Sequence, residues 1–306
     1  NAAWLLVLVI MMVALMARLR IGALVGAGAA LAGLVLVRQV HVWAAAPVWF
    51  AWWLGERGVG DAARAAWLPS REDPVSRKAM RAGVAVLTTL PAFGLIAWFV
   101  TMWGGMTPPS FSTRLSGPNF VVPATVLSVL AIIGAFFVGD WLPAGWRALR
   151  ERTGARVAVV LSSAVGLVVG VVPSSSYHFE DRISHIWNVV RRVPTVGDRS
   201  PVIVLGSVTG AVMVGMMFNA LGRRDRWVML SVLGAFVASQ TAGALAWPRY
   251  YEPMVLIWVA LACARIEPVE VRGMFAPVRW AHALRTPMVV ALAALQLVIT
   301  ALSLKA

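Results

Sequence analysis

The sequence predicts an all-α fold, a polytopic transmembrane bundle of about ten helices, and three observations support this prediction. The chain of 306 residues is 60% hydrophobic and only 13% charged. A soluble domain carries about 25% charged residues because its surface faces water, so most of this surface faces something else. The hydrophobic residues form continuous blocks of roughly 16 to 21 residues, near the ~20 that cross a bilayer. Basic residues, finally, alternate between rich and poor joints along the chain.

The apolar blocks are separated by joints that are polar or broken by Gly and Pro. They cover residues 2–17, 21–37, 40–54, 83–103, 119–138, 157–173, 201–221, 227–246, 250–264 and 287–304. The third and ninth blocks are short, so a tilted, re-entrant or interfacial segment is an alternative to a full span there. We therefore expect a single transmembrane domain over residues 1–306 with one long external joint, residues 174–200.

The distribution of charge orients the blocks. Of the 27 Lys and Arg residues, 19 lie in one set of alternate joints and 8 in the other. The positive-inside rule assigns the first set to the cytoplasm. Because the composition, rich in Ala, Val, Arg and Gly, is typical of bacteria, we expect a multi-pass protein of a bacterial inner membrane. Most of the basic residues behind the net charge of +14 flank apolar blocks, where they are expected to contact lipid headgroups. This distribution does not indicate a nucleic-acid-binding protein. Four of thirteen acidic residues are external, namely Glu180, Asp181, Asp198 and Glu252.

The first informative external joint combines Arg38, Gln39, His41 and Trp43 between the second and third blocks. Unpaired polar groups are expensive to bury at the membrane boundary, so these side chains must face a polar cavity, headgroups or one another. An interfacial anchor with Trp43 in the aromatic belt is the alternative, although an anchor does not require Gln39 and His41.

The second joint, residues 174–200, predicts an amphipathic helix lying in the interface. From Glu180 onward, apolar residues recur at three- and four-residue spacing, with Ser174–Ser176 as N-cap candidates. A carboxylate pair can act as a general base or hold a divalent cation, and His and Arg can bind phosphate. A surface helix without chemistry is the alternative. The polar residues of interest are Glu180, Asp181, Arg182, His185, Asn188, Arg191 and Arg192.

The third joint runs from Trp247 to Pro253 and places Arg249 and Glu252 beside two of the three tyrosines, Tyr250 and Tyr251. Aromatic faces with a cation and a carboxylate suit a sugar or a phospholipid headgroup. An aromatic belt is again the alternative. Elsewhere, Cys263 is interpreted as a small core residue and His282 as structural or solvated.

Taken together, these joints resemble those of the membrane-embedded GT-C glycosyltransferases, which take a sugar from a polyprenyl phosphate on the external or lumenal side. Within that group the chain is most similar to the α-1,2-glucosyltransferase family that adds the last glucose to the dolichol-linked oligosaccharide. The similarity covers about residues 30–265, in a composition typical of bacteria. It is carried by Arg38-Gln39 with Trp43, by Asp181-Arg182 through Ile186-Trp187 to Arg191-Arg192, and by Arg249-Tyr250 followed by Pro253.

The resemblance implies a polyprenyl-phosphate sugar as donor and a lipid-linked or envelope glycan as acceptor. In that interpretation Glu180 or Asp181 deprotonates the acceptor, and one or more arginines neutralise the leaving phosphate. The sequence identifies no particular cofactor, and the use of a divalent cation stays open. The substrate-binding candidates are Arg38, Gln39, His41, Arg182, His185, Arg191, Arg192, Arg249, Tyr250, Tyr251 and Glu252.

One feature departs from the family pattern. GT-C enzymes carry their main catalytic carboxylate in the first external loop, whereas the first joint here, Arg18–Arg20, is cytoplasmic by charge and holds no acid. We expect that carboxylate to lie upstream, in a part of the protein that precedes this sequence.

Two other functions stay open, a transporter or lipid flippase and a non-catalytic membrane subunit. A transporter predicts ionisable residues deep inside helices and a repeat between the halves. Here Asn219 and Gln240 are the notable polar residues well inside blocks, and no repeat is visible.

Overall fold

The computed structural model describes residues 21–54, 75–105, 118–175, 190, 192–243, 248–271 and 273–303. These residues form eleven α-helices and one 3-10 helix, with no β-strand among them beyond an isolated bridge between Val196 and Arg199. The helices are α1 (Ile21–Val37), the 3-10 helix Gln39–Ala44, α2 (Ala45–Trp53), α3 (Val75–Trp103), α4 (Val122–Ala135), α5 (Val138–Glu151), α6 (Thr153–Val171), α7 (Pro201–Ala220), α8 (Arg223–Thr241), α9 (Pro248–Arg265), α10 (Ala276–Ala283) and α11 (Arg285–Ser303).

The all-α prediction is confirmed for the described residues, whereas the count of about ten spans is not. Among the helices that the structure describes, three are long and apolar enough to cross a membrane: residues 79–103 of α3, α6 and α7. The pair α4 and α5 makes a fourth span only if a bend of 104° between them is counted within one crossing. The first block, residues 2–17, lies outside the described residues.

The short third block does not form one continuous helix. Its first residues form the 3-10 helix Gln39–Ala44, and α2 that follows has only nine residues, too few to cross ~30 Å of hydrocarbon. The ninth block corresponds to α9, which begins at Pro248 and carries Arg249, Glu252 and Arg265. Because of these three charges, α9 is not among the helices that are apolar enough to be candidate membrane spans.

The helices group into two compact units. The first unit comprises Asn1–Asn119 and Gly222–Leu245, and the second Phe120–Leu221 and Ala246–Ala306. In the first unit α1 packs on α3, and α2 packs on both α3 and α8. At the α2–α3 contact Trp49 Nε1 donates to the buried Thr89 hydroxyl over 2.9 Å, and its indole stacks on Phe93.

In the second unit α7 is the central helix, with α4, α5 and α6 packed around it. Half of its most apolar stretch is buried, against 17% in α6. The outer face of α6 leaves six large apolar side chains more than half exposed, at Val157, Val160, Leu161, Val165, Leu167 and Val168. A continuous apolar face of this kind suits contact with lipid and not with water.

Two helices lie in joints between the predicted apolar blocks. Helices α5 and α10 pack against each other in the second unit, and Trp146 of α5 stacks on Phe275 at the start of α10. Helix α5 is strongly amphipathic, since it buries Trp141 and Ala148 while Arg147 and Arg150 stay exposed. Its sharp bend away from α4 and its two-sided surface are typical of a helix lying in the membrane interface.

Candidate functional site

The first cluster lies in the 3-10 helix Gln39–Ala44, where a polar stretch interrupts two apolar helices. Arg38 ends α1 in an extended conformation, which starts the tighter 3-10 turn. The segment is fixed against α8 at two points. Ser239 donates its hydroxyl to the carbonyl oxygen of Val40 over 3.0 Å, and Trp43 packs edge-on against Phe236 with ring centroids 5.3 Å apart. Trp43 is therefore buried in protein, which does not support the alternative of an aromatic-belt anchor.

The side chain of His41 is half-buried, with its Nδ1 atom shielded from solvent and without a hydrogen-bond partner in the part of the chain that the structure describes. Burial, and then the positive charge of Arg38, lower the pKa of His41 to about 4. At neutral pH the imidazole is consequently uncharged. The cluster then presents the exposed Arg38, the half-buried Gln39 and a neutral imidazole that has one hydrogen-bond donor and one acceptor.

The second cluster begins at the two ends of the long joint 174–200, which are tied together. Ser175 N donates to the Asp198 carbonyl over 2.9 Å, and Ser175 Oγ accepts from Ser200 N over 2.7 Å. Ser174 also donates its hydroxyl to Asp198. Ser174 and Ser175, two of the three serines predicted as N-caps, therefore hold the two ends of the joint together, while Ser176 lies outside the described residues. Ser200 occupies the N-cap of α7 and accepts from Ile203 N.

Arg199 also ties the two ends of the joint 174–200 together. Its Nε donates to the carbonyl oxygen of Val171 over 2.8 Å, at the last turn of α6. A guanidinium at a helix C-terminus satisfies carbonyls that have no partner inside the helix and complements the helix dipole. Arg199 thus has a structural role, and Asp198 takes the left-handed turn conformation, φ 60°, that Asp tolerates better than most residues.

Most of the residues predicted to carry chemistry in this joint fall outside the described residues. This holds for Glu180, Asp181, Arg182, His185 and Arg191. Arg192 is described and exposed. The predicted amphipathic helix, the carboxylate pair and its cation stay predictions.

The third cluster lies at the start of helix α9. Pro248 is the first residue of α9, where its missing N–H removes no helical hydrogen bond, and Pro253 lies within the same helix. Tyr251 is fully buried and Glu252 half-buried, each with partners in the structure. Contact of Tyr251 with a sugar therefore requires this helix end to open. The side chains of Arg249 and Tyr250 lie outside the described part.

The three clusters are divided between the two units. The 3-10 cluster lies in the first unit, and the two ends of the joint 174–200 and the start of α9 lie in the second. Their union in one site stays a prediction.

A further polar group in the second unit was missed by the sequence analysis. Asp140 at the start of α5 forms an ion pair with Arg285 at the start of α11, beside a cavity of about 430 Å³. Cys263 is half-buried and lines the same cavity. Nδ1 of His282, which was interpreted as structural or solvated, lies 3.3 Å from the Gly139 carbonyl oxygen. The signal in the sequence was the helical spacing of apolar residues in 138–151, which lay inside a charged joint.

Among the described residues no group of three or more His, Cys, Asp or Glu side chains is arranged to hold a metal ion. Comparisons with protein-family models, with curated proteins and with solved structures find no match for this chain.

Proposed function

We propose that the protein is a membrane glycosyltransferase that moves a sugar from a polyprenyl phosphate to a lipid-linked or glycan acceptor on the external face. The observation that carries the proposal is the 3-10 break after α1. It holds Arg38, Gln39 and His41 together, anchored on α8 by Trp43 and Ser239, where two apolar helices meet. A cation beside a neutral hydrogen-bonding ring suits the phosphate of a lipid-linked sugar.

The reaction follows from the charges that change. The acceptor oxygen attacks the anomeric carbon, the bond from that carbon to the phosphate oxygen breaks, and polyprenyl phosphate leaves with the bonding electrons. The acceptor proton passes to a carboxylate, for which Glu180 and Asp181 are the candidates in this sequence. Because the phosphate gains negative charge as it leaves, a fixed guanidinium stabilises the transition state more than the ground state. Arg38, Arg182, Arg191, Arg192 and Arg249 are the candidates for that role.

The rival function, transport or lipid flipping, has less support. Asn219, one of two notable polar residues well inside a block, donates Nδ2 to the Gly215 carbonyl of its own helix over 2.8 Å. A buried amide N–H that is hydrogen-bonded to its own helix needs no other partner. Asn219 therefore has one donor fewer with which to bind a transported substrate.

The test is sugar transfer by the full-length protein in membranes, from polyprenyl phosphate carrying radiolabelled glucose or mannose to extractable glycolipid. We expect Arg38→Ala, Arg182→Ala and Arg249→Ala each to lower the rate about a hundredfold, the effect of removing one transition-state donor. Arg150→Ala, which removes an exposed arginine of α5, is the matched control and should transfer normally. All variants should reach the membrane fraction in equal amounts. Normal transfer by the three site variants would refute the assignment of phosphate binding.

A further inference from the structure

The cavity beside α5, α9 and α11 has one polar end and one apolar wall. Its volume is about 430 Å³. Asp140, Arg285 and Thr286 lie at the polar end, while Ala264, Val289 and Val290 belong to the apolar wall. A cavity with this division fits an amphiphilic molecule better than a fully polar one.

At the polar end, Arg285 is paired with Asp140 and keeps N–H donors that can bind a further anion. The side chain of Asp140 is only 8% exposed, whereas that of Arg285 is 58% exposed. Their contact joins Nε of Arg285 to Oδ1 of Asp140, which uses one of the five N–H donors of the guanidinium. The remaining donors form a planar fork that matches phosphate oxygens, and the hydroxyl of Thr286 lies at the same cavity.

Exposed aromatic residues indicate the depth at which this cavity lies. On the helix that leads into Arg285, Trp280 is 70% exposed and Phe275 at its start is 58% exposed. Exposed aromatic side chains of membrane proteins concentrate at the level of the headgroups. Arg285 comes two residues after the end of α10, and Val289 comes four residues, about 6 Å, further along α11. A phosphate at Arg285 would therefore place its acyl chain along Val289 and Val290.

The surrounding charge selects the kind of lipid. Residues 139–156 and 265–286 together hold eight arginines and four acidic residues. Both joints belong to the arginine-rich set that the positive-inside rule assigns to the cytoplasm. Basic pockets between helices on that side are typical sites for anionic headgroups.

We propose that this cavity binds an anionic phospholipid of the cytoplasmic leaflet, its phosphate on Arg285 and Thr286 and one acyl chain along Val289 and Val290. Asp140 acts as the positioning residue for the guanidinium. The site is separate from sugar transfer on the external face and does not depend on it.

The experiment measures phosphatidylglycerol retained by the purified full chain, by native mass spectrometry after titration in detergent micelles. Arg285→Gln removes the fork, and Val289→Trp fills the acyl wall without touching any charge. Arg279→Gln is the matched control, since this exposed arginine of α10 does not line the cavity. Loss of a charged hydrogen bond predicts an affinity lower by about tenfold or more in Arg285→Gln. We expect a similar loss in Val289→Trp, and none in the control.

Two further arms identify the source of the phosphate. Phosphatidylcholine should bind at least about tenfold more weakly, and inorganic phosphate should not displace the lipid. Equal retention by all variants would overturn the proposal, as would equal losses in Arg279→Gln and Arg285→Gln. Displacement by inorganic phosphate alone, or equal binding of phosphatidylcholine, would overturn the choice of an anionic lipid.

Discussion

His41 shows how position sets the chemistry of a single residue. The ring is held in the 3-10 helix beside Arg38, and both burial and the neighbouring guanidinium disfavour its charged form. A neutral imidazole next to a permanent cation leaves the cluster with positive charge and one adaptable hydrogen-bonding ring. This arrangement suits the phosphate of the proposed donor.

The depressed pKa of His41 predicts a loss of stability in mild acid. As the pH falls below about 6.5 the unfolded chain takes up a proton that the folded protein, with a pKa of about 4, does not bind. Stability should therefore fall between these two values, by at most about 3 kcal/mol, and level off below them. The measurement is the thermal unfolding midpoint in detergent from pH 7.5 to 4.

Two variants separate His41 from the other groups that titrate in this range. His41→Gln should flatten the dependence, while His282→Gln should retain it. An unchanged pH profile in His41→Gln would show that His41 is not the group responsible.

The polar character of this site could be predicted from the sequence, but its anchoring could not. Arg38, Gln39 and His41 are adjacent in the chain, so their proximity follows from the sequence alone. The hydroxyl that fixes Val40 comes from Ser239, 199 residues away, and no local pattern predicts that contact. The same holds for the ion pair of Asp140 with Arg285.

At the scale of helices, hydropathy predicted the apolar elements well. Helix α1 has the bounds of the predicted block 21–37, and α7 ends one residue before the predicted end at 221. The amphipathic helices α5 and α10 were missed because averaging over a window cancels their apolar face against their charged face. In α5 the pattern was nevertheless present, since Trp141, Ala144, Gly145 and Ala148 recur at helical spacing and are buried.

The contact between α6 and α7 depends on small residues. A methyl group at Gly166 would lie 2.7 Å from both the carbonyl oxygen of Ser207 and the Cβ of Ala211. Ser207 is fully buried and donates its hydroxyl to the Gly166 carbonyl over 2.7 Å. Where lipid surrounds the helices, such close packing and interhelical hydrogen bonding supply the attraction between them.

We predict that Gly166→Leu separates this helix pair and destabilises the protein by about 1 to 3 kcal/mol. Gly154→Leu is the matched control, because Gly154 lies in the same helix with nothing within 4 Å of its would-be side chain. Resistance to proteolysis and the unfolding midpoint in detergent are the measurements. Equal effects of the two substitutions would show that the contact does not require a small residue.

At the scale of the whole chain, both proposals depend on its orientation in the membrane. Within the first unit, Asn119 N donates to the Thr241 carbonyl, and both residues lie at block ends assigned to the external face. Arg224 donates to the Ala51 carbonyl over 3.1 Å, and both lie near block ends assigned to the cytoplasmic side. Within the second unit, Asp140 forms an ion pair with Arg285, and both lie in joints assigned by charge to the cytoplasmic side. Ends assigned to one side by charge are thus in contact with ends assigned to that same side.

The most direct test is labelling of single cysteines by a membrane-impermeant maleimide in right-side-out and inside-out vesicles. A Cys263→Ser background removes the one native thiol. Cysteines replacing Arg38 and Val196 should react in right-side-out vesicles, and cysteines replacing Arg150 and Trp280 only in inside-out vesicles. Labelling of both pairs from the same side, or with the two sides exchanged, would contradict the orientation that places sugar transfer outside and the phospholipid site inside.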